Sequence, residues 1–193
     1  ILCEPTLEAR EAKLKVVLEE SGATFVHPYD QEEIIAGQGT AMLELVQQVQ
    51  GLDIVIVPVG GGGLLAGCCL VAEHEQIEII GAEPEGADDA YRSVDTGELV
   101  LSHTPKTICD GLLTTLGTSN FEIICDKVDS ILLASDQEII RAMSLVWTRM
   151  KLIIEPSSAV TLAVILRNPD LFEGKRVGLL LTGGNVDLTD LPF

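Results

Sequence analysis

Four consecutive glycines, Gly60–Gly63, join an apolar run to a segment of helical character, and this junction constrains the fold more than any other feature. The run Ile54–Val57 is β-branched throughout, which is typical of a strand that is buried on both faces. The pattern of Leu64–Glu73 predicts a helix. A strand that leads through a glycine loop into a helix predicts an α/β fold with a mainly parallel sheet.

Strand and helix patterns alternate along the rest of the chain. Short apolar runs predict further strands at Ala23–Val26, Ile77–Ala82 and Val177–Leu181. Apolar residues at helical spacing predict helices at Thr6–Glu20, Gly39–Val49, Asp136–Lys151 (with Ser135 as its N-cap) and Ser157–Leu166. Because buried parallel strands need cover on both sides, we expect helices on both faces of the sheet.

The chain is strongly acidic, with 30 Asp and Glu residues against 12 Lys and Arg residues and a net charge of −18. A surface of this sign repels phosphate backbones and anionic lipids, so neither nucleic acid nor a membrane is expected as a partner. No stretch reaches the roughly 20 apolar residues of a membrane-spanning helix. Five cysteines without C-x-x-C spacing indicate neither a disulfide framework nor a zinc site. These features predict a cytoplasmic enzyme.

The glycine run has the chemistry of an anion-binding loop. Without Cβ atoms its N–H groups can close on a phosphate, and the helix that follows adds positive potential. A Walker loop is excluded, because Gly67 is followed by Cys68 and not by Lys. Two alternatives fit locally. One is the phosphate cup of a pyridoxal-phosphate enzyme; the other is an NAD-dependent oxidoreductase, because a G-x-G-x-x-A spacing begins at Gly61 and Glu83 ends the next predicted strand.

The wider pattern favours pyridoxal phosphate. The segment Pro58–Gly67 resembles the phosphate cup of fold-type II pyridoxal-phosphate enzymes, in the serine racemase and threonine/serine dehydratase family. Further motifs occur in that family's order: Gly37-Gln38-Gly39-Thr40, Ala82-Glu83-Pro84, Ala87-Asp88-Asp89, Cys109-Asp110-Gly111, Ile154-Glu155-Pro156 and Thr182-Gly183-Gly184-Asn185. The resemblance covers essentially the whole chain, and it implies the fold of the tryptophan synthase β subunit and a homodimer.

The resemblance implies roles for particular residues. Thr182 would bond the pyridine nitrogen of the cofactor, and Glu155, in an apolar run, would be a buried acid beside it. Arg10 would lie near the carboxylate of an amino-acid substrate, and Thr114 would face that substrate. The implied cofactor-binding residues are Gly60, Gly61, Gly62, Gly63, Leu64, Gly111, Glu155 and Thr182.

The same resemblance implies two further sites. The carboxylates of Glu83 and Asp89 and the carbonyl of Ala87 would bind a divalent cation, and oxygen ligands favour Mg²⁺ or Ca²⁺. Lys151 and Asn185 would help to bind a nucleotide effector such as ATP at the subunit interface.

The family's Ser-x-Lys-x-Arg-Gly segment, whose lysine forms the Schiff base with the cofactor, has no counterpart in this sequence. We therefore expect the chain to be a fragment, with residues 1–29 as a remnant of the small domain and residues 30–193 as the large cofactor-binding domain. The parent enzyme would remove the α-proton of serine or threonine, and then either eliminate water or return the proton to the opposite face. A non-catalytic phosphate-binding remnant is the alternative from another class.

Overall fold

The computed structural model describes residues 1–4 and 6–193, in which helices and strands alternate. The strands are β1 (Ile54–Pro58), β2 (Glu78–Pro84), β3 (Ser130–Ala134) and β4 (Val177–Leu179). The helices are α1 (Leu7–Ser21), α2 (Glu32–Gln48), α3 (Gly63–Glu75), α4 (Asp89–Thr96), α5 (Thr118–Lys127), α6 (Asp136–Met150), α7 (Pro156–Arg167) and α8 (Pro169–Phe172). Short 3₁₀ turns lie at Glu85–Ala87 and Asp110–Leu112.

The four strands form one parallel sheet in the order β3-β2-β1-β4. Its two inner strands are β2 and β1, and every residue of β1 is buried. Ile54 of β1 is aligned with Glu78 of β2 on one side and with Val177 of β4 on the other. The prediction of an α/β fold with a mainly parallel sheet is confirmed.

Helices cover both faces of the sheet. Ile54 and Ile56 pack into a core with residues of α6 and α7, whereas Val55 and Val57 pack into a second core with residues of α2 and α3. This division follows from the strand itself, because successive side chains point to opposite faces. Within the described ranges, no helix is both long enough and apolar enough to cross a membrane.

Helices α2 and α3 approach each other through glycine. A Cβ atom added to Gly39 would lie 2.7 Å from the Gly67 carbonyl oxygen, and one added to Gly67 would overlap the Ile35 carbonyl oxygen. The two backbones are therefore in direct contact, which no larger residue permits at these positions. This contact fixes α3, and with it the glycine loop that precedes it, against the rest of the fold.

Several predicted boundaries were wrong. Ala23–Val26 forms no strand, and the side chains of Phe25 and Val26 are exposed, because this segment has no neighbouring strand among the described residues. Helix α2 begins at Glu32 rather than Gly39, with Gly37 tolerated inside it. Strand β4 ends at Leu179, two residues earlier than predicted. Helix α6 matches its prediction closely, and Ser135 and Glu138 form a capping box at its start.

Candidate functional site

A cavity of about 360 Å³ lies where β1 and β4 end. The glycine loop and Leu64 form one part of its wall, Gly111 comes from the 3₁₀ turn, and Thr182 follows β4. Arg10 and Thr114 line the same cavity. The structure thus brings together all the predicted cofactor and substrate residues except Glu155.

Strand order explains this assembly. The carboxyl ends of parallel strands meet at one edge of the sheet, and ligands of open α/β folds bind outside that edge. Strands β1 and β4 are neighbours, and the Leu180 N–H continues their ladder by donating to the Ile56 carbonyl oxygen at 3.1 Å. Gly60 and Thr182 each follow closely after these paired strands, and so they face the same cavity.

The glycine loop presents unpaired hydrogen-bond donors. The N–H groups of Gly60, Gly61 and Gly62 donate to no other protein group in the part of the chain that the structure describes. Gly62 has φ of +89°, which a side chain would make unfavourable, and it serves as the N-cap of α3. The first N–H groups of a helix also lack intrahelical partners, and the helix dipole makes this end positive. These donors fit the phosphate of pyridoxal phosphate.

Tyr29 packs directly against the glycine loop, and no motif in the sequence indicated this contact. A Cβ atom on Gly61 would lie 2.5 Å from the Tyr29 ring, and one on Gly63 would lie 2.7 Å from the Tyr29 carbonyl oxygen. Burial raises the pKa of the Tyr29 phenol, while a hydrogen bond with Thr114 and the charge of Arg10 act in the opposite direction. Glycine is therefore required at positions 61 and 63 because Tyr29 lies too close for a side chain, as well as because the backbone of this loop can bind an anion.

Two buried serines at the start of α7 hold other parts of the wall. The Ser157 hydroxyl accepts a hydrogen bond from the Gly111 N–H at 3.0 Å, and the Ser158 hydroxyl accepts one from the Thr182 N–H at 3.0 Å. Each serine thereby orients a predicted cofactor residue. Sequence reasoning missed both, because serines in the first turn of a helix are common for local reasons.

Glu155 lies behind the cavity wall. It is half-buried, not fully buried as expected, and its Oε2 accepts a hydrogen bond from the Asn185 N–H at 2.8 Å. Its own N–H donates to the Gly183 carbonyl oxygen at 2.9 Å. In this structure Glu155 braces the loop that carries Thr182.

The predicted cation ligands lie at the end of β2 and just after it, and they are buried: Glu83, Ala87 and Asp89 are each 1% exposed. The Glu83 oxygens accept hydrogen bonds from the N–H groups of Ala90 and Tyr91 at 3.0 and 2.9 Å. Burial raises the pKa of Glu83 well above its ordinary value, and the nearby charge of Asp89 raises it further.

Asp89 has spare coordination capacity. Its Oδ2 accepts a hydrogen bond from the Leu116 N–H at 3.0 Å, whereas Oδ1 has no hydrogen-bond partner among the described residues and lies 3.5 Å from His103 Nε2. Within residues 1–4 and 6–193, no three His, Cys, Asp or Glu side chains are grouped so as to hold a metal. The predicted set needs only two carboxylates and a carbonyl, and an unpartnered buried oxygen fits it.

The predicted effector residues lie apart from the cavity. Lys151 is exposed at the C-cap of α6, where Nζ donates to the Thr148 carbonyl oxygen at 2.7 Å. Asn185 is exposed after β4.

A second cavity of about 920 Å³ adjoins the first, since Arg10, Tyr29 and Thr114 line both.

Comparison with known proteins identifies the class that this fold and site define. The family described as pyridoxal-phosphate dependent enzyme matches residues 1–183, so the chain belongs to that family. Membership confirms the cofactor prediction of pyridoxal phosphate and leaves the dinucleotide alternative without support.

Within this family, the chain is similar to racemases, dehydratases and deaminases of amino acids. The chain is 51% identical to serine racemase of Dictyostelium discoideum, over 98% of this chain and 60% of that protein. It is 49% identical to β-hydroxyaspartate dehydratase of Paracoccus denitrificans, over 99% of this chain and 61% of that protein. The crystal structure of T.th. threonine deaminase superposes with a TM-score of 0.90 at 38% identity, covering 97% of this chain and 63% of that one. The chain therefore spans about three fifths of the length of these relatives, in agreement with the expected longer parent.

Proposed function

We propose that the full-length protein is a serine racemase or a serine/threonine dehydratase that uses pyridoxal phosphate. The observation that carries this proposal is that Gly60, Gly61 and Gly62, whose N–H groups have no protein partner in the described part of the chain, line the same cavity as Arg10 and Thr182. Such a cavity would combine donors for an anion with side chains that can bind an amino acid. The similarity to serine racemase and threonine deaminase supports the reaction class.

Within this chain, the glycine N–H groups and the start of α3 would hold the cofactor phosphate. The Thr182 hydroxyl would bond the pyridine nitrogen, and the Arg10 guanidinium would bind the substrate carboxylate. Bound pyridoxal phosphate supplies the sink for the electron pair that remains when the α-proton leaves. After the β-hydroxyl has left as water, a second water molecule hydrolyses the resulting enamine to pyruvate or 2-oxobutanoate plus ammonia, whereas return of the proton to the opposite face inverts the configuration at the α-carbon.

We further propose a homodimer in the cytoplasm, with ATP as an effector that contacts Lys151 and Asn185, and residues 1–29 and 30–193 as parts of two domains. Exposed apolar side chains near the end of α6, among them Met150, Leu152 and Ile153, support a subunit contact in this region. We also propose that Glu83, Ala87 and Asp89 bind Mg²⁺ or Ca²⁺, since all three are buried and one Asp89 oxygen has no hydrogen-bond partner among the described residues.

A second candidate substrate is β-hydroxyaspartate. The dehydratase of Paracoccus denitrificans is nearly as similar to this chain as the racemase is. The 920 Å³ cavity beside Arg10 offers space for a substrate with a second carboxylate. The ratio of kcat/KM for β-hydroxyaspartate to that for L-serine decides between the two substrates.

The decisive experiment is an absorbance spectrum with pyridoxal phosphate, recorded for the 193-residue chain and for the full-length protein, before and after borohydride. We expect a visible band and a borohydride-fixed lysine adduct in the full-length protein alone. An adduct that also forms on the short chain would mean that one of its own lysines binds the cofactor. A full-length protein without any band would contradict the proposed function.

A further inference from the structure

Asn120 links helix α5 to the glycine loop. It is the third residue of α5 and is completely buried. Its side-chain Nδ2 donates two hydrogen bonds, one to the Gly61 carbonyl oxygen at 2.8 Å and one to the Tyr29 carbonyl oxygen at 3.0 Å. A single amide group thus fixes both segments that enclose the loop.

The bond to Gly61 determines which way the next peptide unit faces. The Gly61 carbonyl oxygen also accepts a hydrogen bond from the Gly117 N–H at 3.1 Å, so it is held firmly towards α5. In a planar trans peptide the C=O and the following N–H point in opposite directions. The Gly62 N–H is therefore directed away from α5, and it donates to no protein group in the described part of the chain.

Helix α5 is itself anchored, which makes Asn120 a fixed point. The Asp30 carboxylate accepts hydrogen bonds from the N–H groups of Thr118, Ser119 and Asn120 at 3.0, 3.0 and 3.2 Å. Asp30 thereby caps a helix that begins 88 positions later in the sequence. A run of glycines has little intrinsic preference for one peptide orientation, so an external anchor is needed to select it.

We propose that Asn120 is a positioning residue for the phosphate-binding loop. It holds the Gly61–Gly62 peptide so that the Gly62 N–H is available to the cofactor phosphate before the cofactor arrives. This inference rests on the proposed binding of pyridoxal phosphate by Gly60–Gly63. It adds a residue that makes no contact with the phosphate itself and acts through the backbone of another residue.

The test compares two ligands that differ only in phosphate and that form no Schiff base: pyridoxamine 5′-phosphate and pyridoxamine. Calorimetric titration of the full-length protein gives the affinity ratio of the two. Asn120→Leu keeps the side-chain size but removes both donors. We expect the affinity for the phosphate ester to fall about 10- to 100-fold, the value of a hydrogen bond to a charged group. The affinity for pyridoxamine should change less than about twofold.

Asn120→Thr keeps one donor, and its affinity ratio should lie between those of Asn120→Leu and the wild type. Ser119→Ala is the matched control, because the exposed Ser119 side chain lies beside Asn120 on the same turn of α5 and should leave the ratio unchanged. Equal losses for both ligands would mean general damage to the fold and would overturn the positioning role. An unchanged ratio in Asn120→Leu would also overturn it. A wild type that does not prefer the phosphate ester would instead refute the proposed phosphate site, and this inference with it.

Discussion

At the scale of single residues, Asp88 and Asp89 are neighbours with different environments. Asp88 forms an ion pair with Arg92, with 2.9 Å between Oδ1 and Nε, and is half-exposed. Asp89 is 1% exposed and has one oxygen without a hydrogen-bond partner among the described residues. A buried carboxylate gains far more from a cation than an exposed one, because little water competes for it.

We expect millimolar Ca²⁺ or Mg²⁺ to raise the Tm of the EDTA-treated full-length protein. A ligand present at 100 times its Kd stabilises the folded state by about 2.7 kcal/mol. Asp89→Asn should abolish this increase in Tm, since an amide is a poorer ligand than a carboxylate, whereas Asp88→Asn should retain it. Differential scanning fluorimetry measures both variants. Equal responses of the two variants would place the cation elsewhere.

At the scale of elements, the contact between α2 and α3 should be sensitive to a single methyl group. Gly39→Ala would place its Cβ 2.7 Å from the Gly67 carbonyl oxygen, so the helices must separate. Overpacking of this kind costs about 1–3 kcal/mol, more than the gain in helix propensity of about 1 kcal/mol. Urea unfolding should show a net loss of stability.

Gly37→Ala is the control for this prediction. Gly37 lies in the same helix, and a Cβ there would meet no atom within 4 Å. Only the propensity gain remains, so this variant should be more stable than the wild type by about 0.5–1 kcal/mol. Stabilisation by both substitutions would show that the two helices can separate at little cost.

Elements also show what the sequence can predict. Strand β1, the glycine loop and α3 were predicted because each is specified by its own residues. Strand β3 and helix α5 were not identified from the sequence. Ala23–Val26 was wrongly assigned as a strand, because strand formation depends on a neighbouring strand as well as on local pattern.

The residues of the candidate site were also predicted only in part: those within motifs were identified, but the residues that orient them were not. Thr182 and Gly111 were identified from motifs, but their hydrogen-bond partners Ser158 and Ser157 lie 24 and 46 positions away. Asn120 lies 59 positions from Gly61. A single sequence carries no signal for such pairs, because they come together only when the sheet and its helices assemble.

At the scale of the whole molecule, the net charge of −18 is the dominant electrostatic feature. Uncompensated like charges repel in the compact state more than in the unfolded chain. We expect about 0.15 M NaCl, where the Debye length is about 8 Å, to raise the Tm above its value in a low-salt buffer containing EDTA. Sucrose at the same osmolality is a control for effects other than screening. A Tm that falls with salt would mean that attractive ion pairs outweigh the repulsion.

The pairing of β4 with β1 sets the order in which a newly made chain can mature. The Arg176 N–H donates to the Asp53 carboxylate, 123 positions earlier, at the start of this pairing. Contacts over such distances form late, and synthesis proceeds at about 5–20 residues per second. While β4 is still within the ribosome, the glycine loop has no Thr182 opposite it. The cofactor site is therefore completed only after β4 has emerged, and premature termination shortly before β4 would leave a nascent chain that has its glycine loop but cannot complete the cavity around it.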